Sequence, residues 1–157
     1  MKFFATLFTL MLIICGCASH QKGGSADEKS NAWDQSLELK ILSRSTGYAM
    51  GSPFDMKMSL TNISSDTIKL QFAKTGAFDF FIYRKNELVY RYSEDGNYPT
   101  GLKSLTLAPG ESKILGGIWN SRTRMGHWVR GGRYKMIGIV NTDPLIISDI
   151  LEFGLHD

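Results

Sequence analysis

Cysteine is almost absent from this chain of 157 residues, and its copies are Cys15 and Cys17. From residue 18 onward the sequence offers no thiol for a disulfide, for a nucleophile or for a metal. A disulfide-linked scaffold and a thiol-dependent enzyme are therefore excluded for that part of the chain.

Histidine is also scarce, with three copies at His20, His127 and His156. Only His127 lies where a formed loop is expected. No Gly-x-Ser-x-Gly nucleophile motif and no paired-histidine metal spacing accompanies it. The sequence predicts a domain that is not an enzyme and that uses no metal or other cofactor.

Long runs of one charge sign are missing. The formal net charge is +3, and the basic residues stand singly among apolar ones. Nucleic-acid-binding domains usually concentrate lysine and arginine on one face or in one run. We therefore expect no nucleic acid among the partners of this protein.

A hydrophobic run long enough to span a bilayer is lacking as well. The apolar run Phe3–Ile14 has 12 residues, whereas a spanning helix needs about 20. It follows Lys2 and precedes small residues, which is typical of the apolar region of a secretory leader.

The junction Ile14-Cys15-Gly16-Cys17 resembles the lipobox of bacterial lipoproteins, with an aliphatic residue three places before a cysteine and a small residue directly before it. The resemblance implies cleavage of the Gly16–Cys17 bond and a diacylglycerol thioether on Cys17. Acyl chains hold a protein on a lipid bilayer. We expect a location in the cell envelope, at the outer membrane if the host has two membranes. An ordinary leader cleaved after Cys17 or Ala18 is the alternative.

The leader is expected to occupy residues 1–16, and a lipidated, flexible tether residues 17–35. The stretch Ala18–Asn31 contains no aliphatic residue larger than alanine, so it cannot bury enough apolar area to order itself. Trp33 is the first large apolar side chain of this region. We expect it to pack on the domain, residues 36–157, rather than to act as an interfacial anchor.

Apolar residues alternate with polar ones from Leu37 onward, and this period of two is typical of strands with one buried face. Later segments are richer in aromatic residues. The predicted strands are Leu37–Ile41, Phe54–Leu60, Ile68–Phe72, Phe78–Tyr83, Leu88–Tyr92, Leu102–Leu107, Ser112–Trp119, Gly132–Val140 and Ile146–Phe153.

Two turns are readable between these strands. Lys85-Asn86 is the expected hairpin turn, and Pro109-Gly110 is the pair that a type II turn favours. About nine strands and no helical stretch of useful length predict an all-β, antiparallel sandwich or barrel.

The order of several short pieces resembles the BsuPI family, which is named for an intracellular proteinase inhibitor. These pieces are Met58–Asn62 before the turn Ser64–Asp66, then Ile68–Phe72, Phe78–Phe80, Val89–Ser93, Leu105–Glu111 with Trp119 after it, and Gly132–Tyr134. The resemblance covers Leu37–Asn141. It implies an immunoglobulin-like β-sandwich and suggests proteinase binding.

Several residues within the predicted strands could have special roles. Asp79, inside an aromatic strand, is either a functional carboxylate or, as we favour, a hydrogen-bonded structural group with Arg91 as its partner. Tyr134 resembles the corner tyrosine of sandwich folds, whose hydroxyl bonds the backbone at a turn. The aromatic side chains of strands 78–83 and 88–92 are expected in the core.

Two loops are the best candidates for partner contact. The first, residues 93–101, is polar and carries an exposed-looking Tyr98. The second, residues 120–131, is rich in tryptophan and arginine, which are enriched in binding hot spots. Its candidate residues are Arg122, Arg124, His127, Trp128 and Arg130.

The second loop can be interpreted in two ways. As an inhibitor loop, it would place Arg122 or Arg124 in the specificity pocket of a proteinase. As a plain hairpin loop, which we favour, it would fold Trp128 back onto the sandwich.

The sequence therefore leads to two functional hypotheses. In the first, a lipoprotein anchored in the bilayer through acylated Cys17 carries a BsuPI-like domain that binds a proteinase and inhibits it. In the second, the domain is a non-inhibitory interaction module that docks another envelope protein.

Overall fold

The computed structural model describes residues 33, 35–42, 46–72, 76–96 and 98–156. The predicted leader, Cys17 and most of the predicted tether lie outside the described residues. Where the chain is described it forms β1 Leu37–Ile41, β2 Gly47–Ala49, β3 Phe54–Asn62, β4 Ile68–Gln71, β5 Phe78–Arg84, β6 Glu87–Arg91, β7 Ser104–Leu107, β8 Ser112–Trp119, β9 Gly132–Val140, β10 Ile146–Ile147 and β11 Leu151–His156. One 3-10 turn, Tyr92–Glu94, follows β6.

The strands form three sheets. One sheet has the order β1-β3-β8, and a second has the order β2-β11-β9-β5-β6 with β10 beside β9. A two-stranded sheet joins β4 to β7. Among the described strands all pairs are antiparallel, as expected, except the edge pair of β2 with β11, which is parallel.

The predicted β-sandwich is confirmed by the way the two larger sheets share one core. Alternation along β3 buries Phe54, Met56, Met58 and Leu60, all at most 1% exposed. Phe54 stacks on Phe153 of the other sheet with ring centroids 4.8 Å apart. Burying each such side chain contributes about 1.5–3 kcal/mol to the free energy of folding.

The predicted turns between strands are also confirmed. Lys85 and Asn86 have positive φ angles of 48° and 68°, which suits the tight hairpin between β5 and β6. Gly110 follows Pro109 with φ of 74°, as the second central position of a type II turn requires.

The number of strands was underestimated for two reasons. The short strand β2 contains Gly-Tyr-Ala and shows no alternation over its length. The single strand predicted from Ile146 to Phe153 is interrupted at Ser148, whose hydroxyl accepts the Gly138 N–H at 2.9 Å. Because this side chain replaces a backbone partner of β9, the strand divides into β10 and β11.

Trp33 packs on the domain, as expected. It is partly buried against the core, and its Nε1–H donates to the Pro144 carbonyl at 3.0 Å. The start of the described chain is thereby fastened to the segment between β9 and β10. Packing begins before the predicted domain boundary at residue 36.

Among the residues that the structure describes, no helix is long and apolar enough to cross a bilayer.

Candidate functional site

The two predicted partner-contact loops meet at one end of the sandwich. The β8–β9 loop, residues 120–131, lies beside the 3-10 turn after β6. Arg124 donates from Nε to the Glu94 carboxylate of that turn. The Arg124 backbone N–H donates to the Val89 carbonyl of β6 at 3.0 Å. The structure therefore brings the β8–β9 loop and the start of the residue 93–101 loop into one surface.

The base of the β8–β9 loop is fixed by buried groups. Trp119, 1% exposed, donates from Nε1 to the Arg122 carbonyl at 2.7 Å. The buried Val129 donates its N–H to the Ser121 carbonyl at 3.0 Å. Both ends of the loop are thus attached to the core, so its tip is held in a defined position.

The tip of the loop is a closed hairpin turn. The Thr123 N–H donates to the His127 carbonyl at 2.7 Å, and the Gly126 N–H donates to the Thr123 carbonyl at 2.8 Å. Gly126 has φ of 80°, a left-handed conformation that glycine adopts without strain. Arg124 and Met125 stand at the centre of this turn, and Met125 is 83% exposed.

Arg122 braces the turn from one side. Its Nη1 donates to the Gly126 carbonyl at 2.8 Å, and its Cζ lies 3.9 Å from the ring centroid of Trp128. An exposed cation–π contact of this kind contributes about 0.5–1 kcal/mol. Trp128 itself is 56% exposed. The loop is the hairpin that we favoured, with Arg122 and Trp128 paired across it, and the Trp128 ring is covered only in part.

The remaining candidates of the β8–β9 loop, His127 and Arg130, stabilise the loop through their backbone groups. His127 and Arg130 are both exposed. The His127 N–H donates to Thr123 Oγ1 at 3.2 Å, and the Arg130 carbonyl accepts the Tyr134 hydroxyl. The exposed Arg130 guanidinium adds positive charge at the edge of the loop.

Tyr98 does not behave as the sequence suggested. It is half-buried rather than exposed, and its hydroxyl donates to the Phe78 carbonyl. Its ring meets that of Tyr92 edge-on, with centroids 5.3 Å apart. Burial raises the pKa of the Tyr98 hydroxyl above its usual value. Tyr98 thus holds its own loop to β5 and adds no free ring to the contact surface.

An open cleft of about 680 Å³ runs beside the tip. Leu88 and Val89 of β6 line one side of it, and Met125 and His127 line the other. The surface around the tip therefore combines apolar side chains with Trp128 and arginine, and tryptophan and arginine are enriched in protein-contact hot spots.

Asp79 has the structural role that the sequence favoured. Its side chain is 2% exposed and accepts the Arg91 Nε–H at 2.8 Å. It also accepts the Ser93 hydroxyl at 2.6 Å and the Phe80 N–H at 2.9 Å. The hydrogen bond to Asp79 raises the pKa of the Arg91 guanidinium. These bonds join β5, β6 and the 3-10 turn that supports Arg124.

In the described ranges, no group of three or more histidine, cysteine, aspartate or glutamate side chains is placed to hold a metal ion.

One family profile, described as intracellular proteinase inhibitor, matches residues 41–145. This chain belongs to the BsuPI family. The resemblance that the sequence pieces suggested is thereby confirmed, and the matched range includes the whole β8–β9 loop.

Several solved structures resemble the BsuPI domain at low identity. The CARDB domain of a Pyrococcus furiosus protein, in complex with di-metal ions, is 11% identical with a TM-score of 0.44, over 76% of this chain and 87% of that one. A β-glucosidase from Listeria innocua, in complex with glucose, is 15% identical with a TM-score of 0.47, over 77% of this chain and 16% of that one. A β-glucosidase from Erythrobacter marinus is 13% identical with a TM-score of 0.46, over 77% and 15% of the two chains. No curated protein matches the sequence.

Several pieces that identify the BsuPI domain are structural. Asn62 is fully buried, and its amide donates to the carbonyls of Asp66 at 2.7 Å and Leu107 at 3.0 Å. Tyr134 donates its hydroxyl to the Arg130 carbonyl, as expected of a corner tyrosine. Trp119 anchors the β8–β9 loop. These residues therefore define the fold and position the loop, and they do not themselves form the exposed surface.

Sequence reasoning missed two residues of the BsuPI surface. Glu94 was not singled out, although its carboxylate pairs with Arg124. Met125 was not predicted because methionine, unlike arginine and tryptophan, is not among the residue types most enriched in hot spots. The Thr-x-x-Gly spacing from Thr123 to Gly126 was the available signal, since glycine at the last position is common in tight turns.

Proposed function

We propose that this chain is a membrane-anchored lipoprotein whose BsuPI domain binds a proteinase through the β8–β9 loop and inhibits it. The observation that carries the proposal is that the loop tip is exposed while backbone hydrogen bonds close its turn and fix its base. Met125 and Trp128 are 83% and 56% exposed, while Trp119 fixes the base of the loop at Arg122.

Such bracing favours tight binding. A mobile loop loses conformational freedom when a partner orders it, at about 0.5–1.5 kcal/mol for each immobilised side chain. The closed turn from Thr123 to His127 has already lost much of that freedom in the unbound protein. More of the contact free energy therefore remains as affinity.

We assign a binding role rather than a catalytic one. The side chains that the loop presents are chiefly a thioether, an indole and guanidinium groups. Arg122 and Arg124 are each engaged in contacts within the domain. These groups suit recognition of a partner surface, and the family description concerns an inhibitor.

Inhibition assays test the proteinase proposal. The mature protein would be titrated against a panel of serine proteinases, and the inhibition constants compared with those of Trp128→Ala and of Lys113→Ala. Lys113 lies on β8, outside the loop, and is exposed, so Lys113→Ala is the matched control. We expect weaker inhibition from Trp128→Ala alone. Absence of inhibition across the panel would contradict the proposal.

A non-inhibitory interaction module is the second candidate, and one observation favours it. Ile147 and Ile150, 58% and 55% exposed, lie beyond the residues that the family profile matches. Apolar side chains grouped outside the core often mark protein contacts. If Ile147→Ser abolishes capture of an envelope protein and leaves the proteinase panel unaffected, the module hypothesis gains support.

The membrane anchor is tested separately. Metabolic labelling with a palmitate analogue should mark the wild-type protein and should fail with Cys17→Ser. Persistent labelling of Cys17→Ser would contradict the assignment of Cys17 as the acylated residue.

A further inference from the structure

Met125 is the most exposed large apolar side chain of the β8–β9 loop. At 83% it has the highest exposure among the exposed large apolar side chains of the described residues. It occupies the centre of the turn that the Thr123–His127 hydrogen bond closes. An unbranched thioether in this position can adapt to an apolar cavity of irregular shape.

The two arginines that flank Met125 are held within the domain. Arg122 donates to the Gly126 carbonyl at 2.8 Å and lies against the Trp128 ring. Arg124 is paired with the Glu94 carboxylate. Insertion of either guanidinium into an acidic pocket of a partner would first require breaking these contacts. Insertion of Met125 would break none of the contacts described for the loop.

We propose that Met125 is the side chain that enters the primary specificity pocket of the target, which is therefore a proteinase whose pocket is apolar. This inference rests on the proposed proteinase-binding function and makes it more specific. It replaces the expectation that Arg122 or Arg124 fills the pocket, which would have pointed to a trypsin-like pocket with an acidic base.

The closed turn also determines how the loop enters. Proteinases cleave an extended segment, whereas the Gly126 N–H here donates back to the Thr123 carbonyl at 2.8 Å. The peptide bonds on either side of Met125 are consequently not presented as a substrate strand. The loop therefore enters the pocket as a closed turn and remains uncleaved in the complex.

The test uses the mature protein in detergent with chymotrypsin and subtilisin, which accept apolar side chains, and with trypsin, whose pocket is acidic. Burying a methionine side chain corresponds to a factor on the order of 10 to 100 in affinity. Met125→Ala should therefore raise the inhibition constants for the apolar-pocket enzymes by about that factor. Met125→Leu should change them less than Met125→Ala does, by under about tenfold, because it preserves apolar volume.

Control variants separate this inference from the proposed function. Ile114→Ala, on β8 and 51% exposed, should leave all inhibition constants unchanged. Inhibition of trypsin alone, lost in Arg124→Ala and retained in Met125→Ala, would overturn the Met125 assignment while leaving proteinase binding intact. Inhibition of none of the three enzymes or of any wider panel would overturn both.

A cleavage assay tests whether the loop remains uncleaved in the complex. After prolonged incubation with an inhibited enzyme, mass spectrometry should find the Arg124–Met125 and Met125–Gly126 bonds intact. Progressive cleavage at either bond, with parallel loss of inhibition, would show a substrate-like loop and contradict the inference. Since Met125 is exposed, its variants should melt within a few degrees of wild type.

Discussion

The carboxylate of Asp79 accepts the Arg91 Nε–H at 2.8 Å, although Asp79 is 2% exposed and the Arg91 side chain is 43% exposed. Strand alternation places Asp79 on the face of β5 opposite to Phe78 and Phe80. Arg91 covers this carboxylate and lies with its Cζ 5.1 Å from the Phe81 ring centroid. The pair therefore secures the side of the sandwich on which the candidate surface stands.

Removing this carboxylate should destabilise the domain. Asp79→Ala eliminates the acceptor of the Arg91, Ser93 and Phe80 hydrogen bonds. We expect the free energy of unfolding to fall by about 2–4 kcal/mol. Denaturant titration measures this change. Asp55→Ala, which breaks an exposed ion pair with Lys57, is the control and should lower it by less than about 1 kcal/mol. Equal effects of the two variants would contradict a special role for Asp79.

Asn62 gives a second stability prediction. Its buried amide donates to Asp66 and Leu107, and its oxygen accepts the Ser64 N–H at 3.0 Å. Asn62→Ala leaves these backbone groups without that partner, so we expect a loss of about 2–4 kcal/mol in unfolding free energy. Thermal or denaturant unfolding would measure it. Wild-type stability in this variant would show that the amide is dispensable.

Trp119→Phe tests whether Trp119 positions the β8–β9 loop in addition to filling the core. Phenylalanine preserves most of the buried ring but cannot donate to the Arg122 carbonyl, which now receives Nε1–H at 2.7 Å. We expect a loss of about 1–2 kcal/mol in stability. Proteinase inhibition should weaken more in Trp119→Phe than in Asn62→Ala, although Asn62→Ala is expected to be the less stable of the two. The same inhibition constants for both variants would mean that Trp119 does not position the loop.

Tyrosine burial predicts a sensitivity to alkaline pH. Burial, and for Tyr90 also its hydrogen bond to Asp95, raises the pKa of Tyr90, Tyr92 and Tyr134 above the usual 10.0. Because the unfolded chain releases these protons first, their contribution to stability is complete below about pH 10 and is lost as the pH rises further.

Denaturant midpoints between about pH 8 and pH 11 measure this effect. Each tyrosine that ionises only in the unfolded chain adds at most about 1.4 kcal/mol per pH unit to the slope. Tyr90→Phe should reduce the alkaline slope, whatever its effect at neutral pH. Identical slopes in the variant and the wild type would contradict the role of Tyr90.

Much of the fold could be read from the sequence because local patterns determine it. Alternation in β1 and β3 identified their buried faces, and Pro109-Gly110 identified a turn through its backbone preferences. The Asp79–Arg91 pair was also predictable, since an isolated carboxylate in an aromatic strand needs a donor nearby.

The candidate surface was less predictable because it depends on contacts between distant segments. Tyr98 looked exposed in a polar loop, yet its ring fills the space beside Gly76, where a Cβ atom would collide with the tyrosine hydroxyl. Glu94 and Arg124 meet only after β6 and the β8–β9 loop are assembled. The exposure of Met125 follows from the turn that Gly126 permits, which residue composition alone does not show.

Hydrogen–deuterium exchange tests the central claim most directly. The mature protein would be compared free and bound to the proteinase of the panel that it inhibits most strongly. We predict that binding slows exchange of the Arg124–Val129 amides and of the neighbouring β6 edge, while β1 and β3 stay unchanged. Protection confined to β10 and β11, with the β8–β9 loop unaffected, would contradict the account.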